Sequence, residues 1–318
     1  MTETDRPGSL HVEFGRLAAA RRIMAAPAST GSLVQDRANA ERWIARFGSA
    51  PAGSGEPMGP AAGAGDGVTV ERGDRSLVVR PAAEDPDGPR VMYVHGGGMV
   101  YYSTAVFEPF LRTLATELRS PIEAFDYLKA PEHPVEESLE ELAGRITERV
   151  AALPDRRPLV LAGDSVGGLI SLHLALRVLP GVFDRLVLIY PVLDLDASRE
   201  AASYRTYGEG HFLDAHHMRQ FRSLLQPYFA ARDFDAMTLS PADLDRLPGC
   251  SVVTAGCDVL RDEGLAWAER TAARSPGLRH LHFPDLPHDF CLYAGRLDSA
   301  RHAVARLART AFPLKGEG

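Results

Sequence analysis

The chain has 318 residues, 45% hydrophobic and 24% charged, with 29 Gly and 23 Pro, a composition that fits a soluble globular protein and excludes a collagen-like or wholly disordered one. A net charge of -7 and a pI near 5.9 argue against a nucleic-acid partner. Three cysteines are too few for a disulfide framework, no run approaches the roughly 18 apolar residues of a membrane span, and neither Lys129 nor Lys315, the only lysines, follows a Gly-rich phosphate loop.

Met1 to Pro7 carries Glu3 and Asp5 and lacks the basic start and apolar core of a signal peptide. With free thiols at Cys250, Cys257 and Cys291, this suggests a reducing, cytoplasmic location. Residues 33–47 place Leu33, Ala40, Trp43, Ile44 and Phe47 at helical spacing and read as an amphipathic helix. From Gly48 to Gly67, 17 of 20 residues are Gly, Ala, Pro or Ser, which reads as a flexible linker. Beyond Val68 the pattern alternates. Two short strands flank Asp74 as a hairpin, and further apolar strands are expected at 90–95, 121–127, 158–163, 185–191, 250–256 and 278–284. Helices are expected at 109–119, 135–152, 166–179 and 295–312, with Glu136, Glu137, Glu140 and Glu141 on a solvated face. Such alternation implies a mostly parallel sheet covered by helices on both faces. Residues 191–247 interrupt it with a helical stretch rich in Tyr, Phe and His, which reads as an insertion.

Three signals stand at the C-terminal ends of expected strands, where open α/β sheets place their sites. The first is Gly163-Asp164-Ser165-Val166-Gly167, a G-x-S-x-G between an apolar strand and an apolar helix. A turn this tight excludes side chains beside the Ser and pushes its hydroxyl into the open. Chance alone would give about 0.15 such motifs in a chain of this composition; a helix start capped by Ser is the plain alternative. The second is His95-Gly96-Gly97-Gly98, whose glycines leave backbone N–H groups able to face a developing oxyanion. His95 itself reads as structural, holding the loop. The third is a His and an acid to serve the Ser. His288 follows the last strand, and Asp258 follows the strand before it, giving the chain order Ser165, Asp258, His288. Asp194 is the rival acid. Asp285 and Asp289 are too near His288 in sequence to orient it, and Asp262 and Glu263 read as caps of the next helix. His280 and His282 read as packing or surface residues, and His216 and His217 as solvated.

Together these motifs resemble the hormone-sensitive-lipase-like branch of the α/β-hydrolase superfamily, the carboxylesterases with a GDSxGG nucleophile. The resemblance rests on His95 to Gly98, Ala130-Pro131-Glu132-His133-Pro134, Gly163 to Gly168, Asp258 to Gly264 and His288, and extends over about residues 68–312. It implies an α/β-hydrolase fold with a helical cap: N-terminal cap helices and linker over 1–67, core over 68–190, cap insertion over 191–240, and the rest of the core over 241–318. It also implies a Ser165–His288–Asp258 triad, an oxyanion hole of Gly96, Gly97 and Val166, and hydrolysis of short- to medium-chain esters without cofactor or metal. Met99, Val100, Tyr101, Tyr102 and Phe212 are the candidate substrate contacts, with ordinary core packing as their alternative. The expected partner is a small-molecule ester, and the chain a monomer or homodimer. Acyl transfer, cyclisation or elimination by the same triad, and non-catalytic ligand binding, are the competing uses of such a site. Departures from the family pattern are Met99 in place of an aromatic, Leu128 after Tyr127, Glu136 and Glu137 in place of small or Pro residues, and Asp289 where Gly is usual.

Overall fold

The computed structural model describes residues 8–24, 30–48, 67–154 and 156–313. The expected linker therefore falls, from residue 49 to 66, outside the described residues. The helices, in chain order, are α1 (Val12–Met24), α2 (Leu33–Gly48), α3 (Thr104–Leu118), α4 (Val135–Ala151), α5 (Val166–His173), α6 (Ala202–Tyr207), α7 (Ala215–Ala230), α8 (Pro241–Arg246), α9 (Arg261–Ala272) and α10 (Asp298–Ala311). The strands are β1 (Thr69–Gly73), β2 (Ser76–Arg80), β3 (Arg90–Val94), β4 (Ile122–Phe125), β5 (Leu159–Asp164), β6 (Arg185–Ile189), β7 (Gly249–Cys257) and β8 (Arg279–Pro287).

Among the described residues, eight strands form one sheet in the order β1-β2-β4-β3-β5-β6-β7-β8. β1 and β2 form the expected antiparallel hairpin, and β2 also runs antiparallel to β4; every other pairing is parallel. The central strands are apolar on both faces because both faces are covered. Leu159 and Leu161 of β5 and Leu186 and Leu188 of β6 face one core, lined by Leu139 and Leu142 of α4 and Leu169 of α5. Val160 and Ala162, with Val187 and Ile189, face the other, against Phe110 of α3 and Val304 and Leu307 of α10.

The start of α3 differs from the expected one for a physical reason. Helix α3 begins at Thr104, not at 109, and carries Pro109 inside it. The Thr104 N–H and hydroxyl both donate to the Asp126 carboxylate beyond β4 (2.8 and 2.9 Å), so a distant acid fixes the helix start. Helix α1 buries Phe14 and Leu17 against the core beside α3 and α10.

Leu188, wholly buried in β6, sets the expected cost of a cavity at the centre of the sheet. Leu188→Ala should lose about 2–5 kcal/mol, read as a lower urea midpoint with an unchanged slope.

Candidate active site

β5 turns into α5 through a single residue, Ser165, whose backbone is left-handed (φ 53°, ψ −122°). A non-glycine residue held there stores about 1–3 kcal/mol of strain, so its neighbours must enforce it. The Ser165 N–H donates to the Ile189 carbonyl at 2.9 Å, and its own carbonyl accepts from Gly168 and Val192 at 3.0 Å. The glycines are required by space. A Cβ on Gly163 would lie 2.3 Å from the Gly167 carbonyl oxygen, and one on Gly167 would lie 2.1 Å from that of Val94.

The structure brings Ser165, His288 and Asp258 into one buried line. His288 Nε2 lies 3.1 Å from Ser165 Oγ, and His288 Nδ1 lies 2.8 Å from Asp258 Oδ2. The other oxygen of Asp258 accepts the Leu260 N–H at 3.0 Å, which fixes the carboxylate. The Tyr190 ring packs on the imidazole at 4.8 Å. Asp194 belongs elsewhere: it accepts from Arg199 at 2.8 Å. Asp262 and Glu263 do not cap their own helix. Asp262 accepts the Ser203 N–H at the start of α6, and Glu263, buried, accepts the N–H groups of Leu193 and Asp194, so both tie the insertion to the core. His280 and His282 share the Thr254 hydroxyl at 2.8 Å, away from Ser165. His217 is not simply solvated; it lines the cavity beside Phe221.

Charge in the site is concentrated on one imidazole. Burial by itself would lower the His288 pKa, but the carboxylates of Asp258, Asp289 and Asp164 outweigh it and raise it to about 9. Asp289 does not merely face solvent: its Oδ1 is 3.6 Å from His288 Nε2. Asp164 is completely buried, and burial, with Asp289 nearby, raises its pKa to about 7 despite hydrogen bonds from Tyr93 and Gly96.

The glycine loop after β3 forms the wall facing Ser165. His95 stacks on Tyr127 at 4.3 Å with Nε2 3.2 Å from Asp126, a structural position. That contact, set against burial, holds the Asp126 carboxyl down at about 2. The expected grouping of Gly96 with the oxyanion donors needs correction. Its N–H donates to Asp164 Oδ1 at 2.7 Å and is spent there. Gly97 and Gly98 line the cavity with left-handed backbones (φ 107° and 64°). Among the described residues, no protein acceptor takes the N–H of Gly97, Gly98 or Val166. A Cβ on Gly98 would lie 2.4 Å from the Phe221 ring.

Beside Ser165 and His288 opens a cavity of about 280 Å³. Of the expected contacts, Tyr101, Tyr102 and Phe212 line it. Met99 and Val100 do not. Met99 is wholly buried in the core with a left-handed backbone, and the Val100 carbonyl accepts from Arg37 at 2.6 Å. Sequence reasoning missed the other wall, Asp36, Asn39 and Trp43 of α2 with His217 and Phe221 of α7. The α2 residues share one helix face, so the signal was the helix stripe itself. Arg37 clamps α2 in place with a two-pronged pair to Glu132, 2.7 Å on each prong.

This sheet order, the strand–Ser–helix turn and the facing glycine loop define an α/β hydrolase. A model of the alpha/beta hydrolase fold family matches residues 91–292, and the chain belongs to that family. It is 29% identical over 231 residues to the carboxylesterase NlhH of Mycobacterium tuberculosis (69% of this chain, 71% of that protein). It is 29% identical over 234 residues to an ethyl acetate hydrolase of Pseudomonas putida (70% and 72%). Mouse hormone-sensitive lipase is 35% identical over 140 residues, 38% of this chain and 17% of that one, in keeping with the resemblance read from the motifs. Among solved structures, a thermostable esterase from Pseudomonas putida ECU1011 superposes with a TM-score of 0.80 over 98% of this chain and 99% of its own, at 24% identity, and so shares the fold. Among the described residues no helix is long and apolar enough to cross a membrane.

The raised Asp164 pKa has a definite sign in stability. A carboxyl that holds its proton more tightly when folded contributes stability below its ordinary pKa of 3.8 and loses it as the pH rises through about 7. Asp164→Asn should therefore gain stability relative to the parent chain as the pH is raised from about 4 to 8, measured as urea midpoints across the range.

Proposed function

We propose that this protein is a serine hydrolase that cleaves carboxylic esters through an acyl-enzyme. The observation that carries the reading is the buried line from Asp258 through His288 to Ser165, opening onto a cavity beside a wall of unspent backbone N–H groups. The relatives named carboxylesterase and ethyl acetate hydrolase support it.

In this mechanism Ser165 Oγ attacks the acyl carbon as His288 Nε2 takes its proton. Asp258 holds the imidazole in the tautomer with Nδ1–H and stabilises the imidazolium. The oxyanion is bound by the N–H groups of Gly97, Gly98 and Val166. His288 then returns the proton to the departing alcohol oxygen, and water, deprotonated by His288, resolves the acyl-enzyme. No step calls on a cofactor. A cavity of about 280 Å³, at the small end for ligand sites, suits short- to medium-chain acyl groups. We assign the cap to α2 and the 191–240 insertion, which supply the cavity wall opposite the sheet.

The parent chain should turn over p-nitrophenyl acetate, and Ser165→Ala should lose at least about 10³ in kcat/KM while keeping its circular dichroism spectrum; residual activity near the parent's would refute the mechanism. Gly98→Ala should cost about 10² or more in kcat, because a side chain at its left-handed backbone would displace the oxyanion wall, whereas Gly96→Ala should act mainly on stability, because its Cβ would meet Asp164 Oδ2 at 2.5 Å. Since the base must be neutral and His288 is raised to about 9, kcat/KM should climb from pH 6 toward pH 9 rather than level off near 7.

A further inference from the structure

The cavity carries an unusual charge pattern for the reaction just proposed. Its charged lining is Asp36, Asp289 and His288, whose imidazolium charge is balanced by Asp258 behind it, and among the described residues neither Lys nor Arg lines it. Burial lowers the pKa of His217, a further ring of the wall, which disfavours a cation there. Arg37, on the same helix as Asp36, turns away to Glu132 and to the carbonyls of Ala130 and Val100. The rest of the wall is aromatic, with Trp43, Tyr101, Tyr102, Phe212 and Phe221. Ring faces and carboxylates together attract an organic cation and repel an anion.

The position of Asp289 decides which part of a substrate would meet it. Its Oδ1 and the hydroxyl of Ser165 stand 3.6 and 3.1 Å from the same atom, His288 Nε2. The departing alcohol oxygen must come within about 3 Å of that atom to receive its proton. Asp289 therefore flanks the leaving group rather than the acyl group. Its backbone is left-handed (φ 59°), a conformation that costs Asp more than Gly. A carboxylate held there at a cost, beside the proton donor, calls for a role.

We propose that the site selects esters whose alcohol carries an ammonium group, with Asp289 as the specificity determinant and the aromatic wall as the rest of the cation's surroundings. The proposal rests on the esterase reading above. An ammonium two carbons from the ester oxygen reaches the Asp289 carboxylate while that oxygen faces His288. The chemistry balances as ordinary hydrolysis. The acyl–oxygen bond breaks, the proton held by His288 goes to the alcohol oxygen, the cationic alcohol departs unchanged, and water takes the acyl group from Ser165. The groups facing His288 from each packed element are Asp258 after β7, Asp164 and Ser165 at the β5 turn, Tyr190 after β6, and Asp289 on its own loop. A bound ammonium acts on this set through Asp289. It weakens the hold of that carboxylate on the imidazolium, so the pH at which kcat rises should be lower for the cationic ester than for a neutral one.

The test compares 2-(trimethylammonio)ethyl acetate with its uncharged carbon isostere, 3,3-dimethylbutyl acetate, and runs p-nitrophenyl acetate alongside. The parent chain should favour the cation by about tenfold or more in kcat/KM, and Asp289→Asn and Asp289→Gly should both bring the ratio to within about threefold of one. Choline should inhibit p-nitrophenyl acetate hydrolysis by the parent at concentrations where 3,3-dimethylbutanol does not. That measurement needs no variant, so the idea stays exposed even if a variant fails to fold. A parent ratio at or below one, with p-nitrophenyl acetate turned over normally, overturns the ammonium proposal and leaves the esterase reading standing. An undiminished preference in both variants overturns the role of Asp289. Failure to turn over any of the three esters overturns the esterase reading itself, and this proposal with it.

Discussion

Much of the structure depends on one close backbone contact. Where β5 becomes α5, the Gly167 α-carbon sits against the Val94 carbonyl so tightly that a Cβ would come within 2.1 Å of its oxygen. Strands β3 and β5 are hydrogen-bonded neighbours, with Val94 opposite Gly163. The helix that begins at Val166 must therefore cross the end of β3 at once, and only a glycine backbone leaves room for it. The same crossing forces Ser165 into its left-handed backbone and presents its hydroxyl at the sheet edge. It also places the residues after Val94, the His95 to Gly98 loop, directly against the new helix. Candidate nucleophile and candidate oxyanion wall are thus one steric arrangement, not two sites brought together.

Asp164 shows how that arrangement is locked. It lies between Gly163 and Ser165, with no exposure to water, and takes the Tyr93 hydroxyl and the Gly96 N–H. Hydrogen bonds favour its charged form and burial favours the neutral one; burial prevails. The carboxyl therefore spends the first amide of the glycine loop on architecture and leaves the next two facing the cavity. Around His288 the balance is reversed. Three carboxylates outweigh burial, so the imidazole is more basic than an isolated one, and Asp258 holds one of its nitrogens in place.

The cavity wall opposite the sheet is held by charges at some distance from the chemistry. Glu263, buried at the start of α9, accepts the N–H groups of Leu193 and Asp194 and so fixes how the chain leaves β6. Arg222 of α7 lies 4.3 Å over the Tyr204 ring and donates to the Asp194 carbonyl at 2.9 Å. On the other side, Arg37 joins α2 to Glu132 and to two loop carbonyls. Loss of either anchor would shift Trp43 or Phe221, which line the space in front of Ser165. Glu263 and Arg222 are buried, so an alternative arrangement of the insertion would leave a charge unpaired, whereas the Arg37–Glu132 pair is exposed and acts through its two-pronged geometry.

What the sequence determined by itself is whatever short-range pattern encodes. Runs apolar at every position announced strands buried on both faces, and Gly163 and Gly167 announced a turn with no room for side chains. The order Ser165, Asp258, His288 is a property of the chain as written. Where one residue type had two possible employers, the sequence was silent. Gly96 and Gly98 are chemically identical, and only the Asp164 carboxylate decides which amide is spent. Met99 reads as a pocket residue by adjacency, yet its left-handed backbone sends it into the core. Pro109 reads as a helix start, but Asp126 moves that start to Thr104. The α2 stripe was legible, but its docking against the cavity, the place of His217 and the nearness of Asp289 to His288 Nε2 were decided by tertiary structure alone. Each depends on a contact between segments distant in the chain or on the direction of a single side chain, and neither leaves a periodic trace in the sequence.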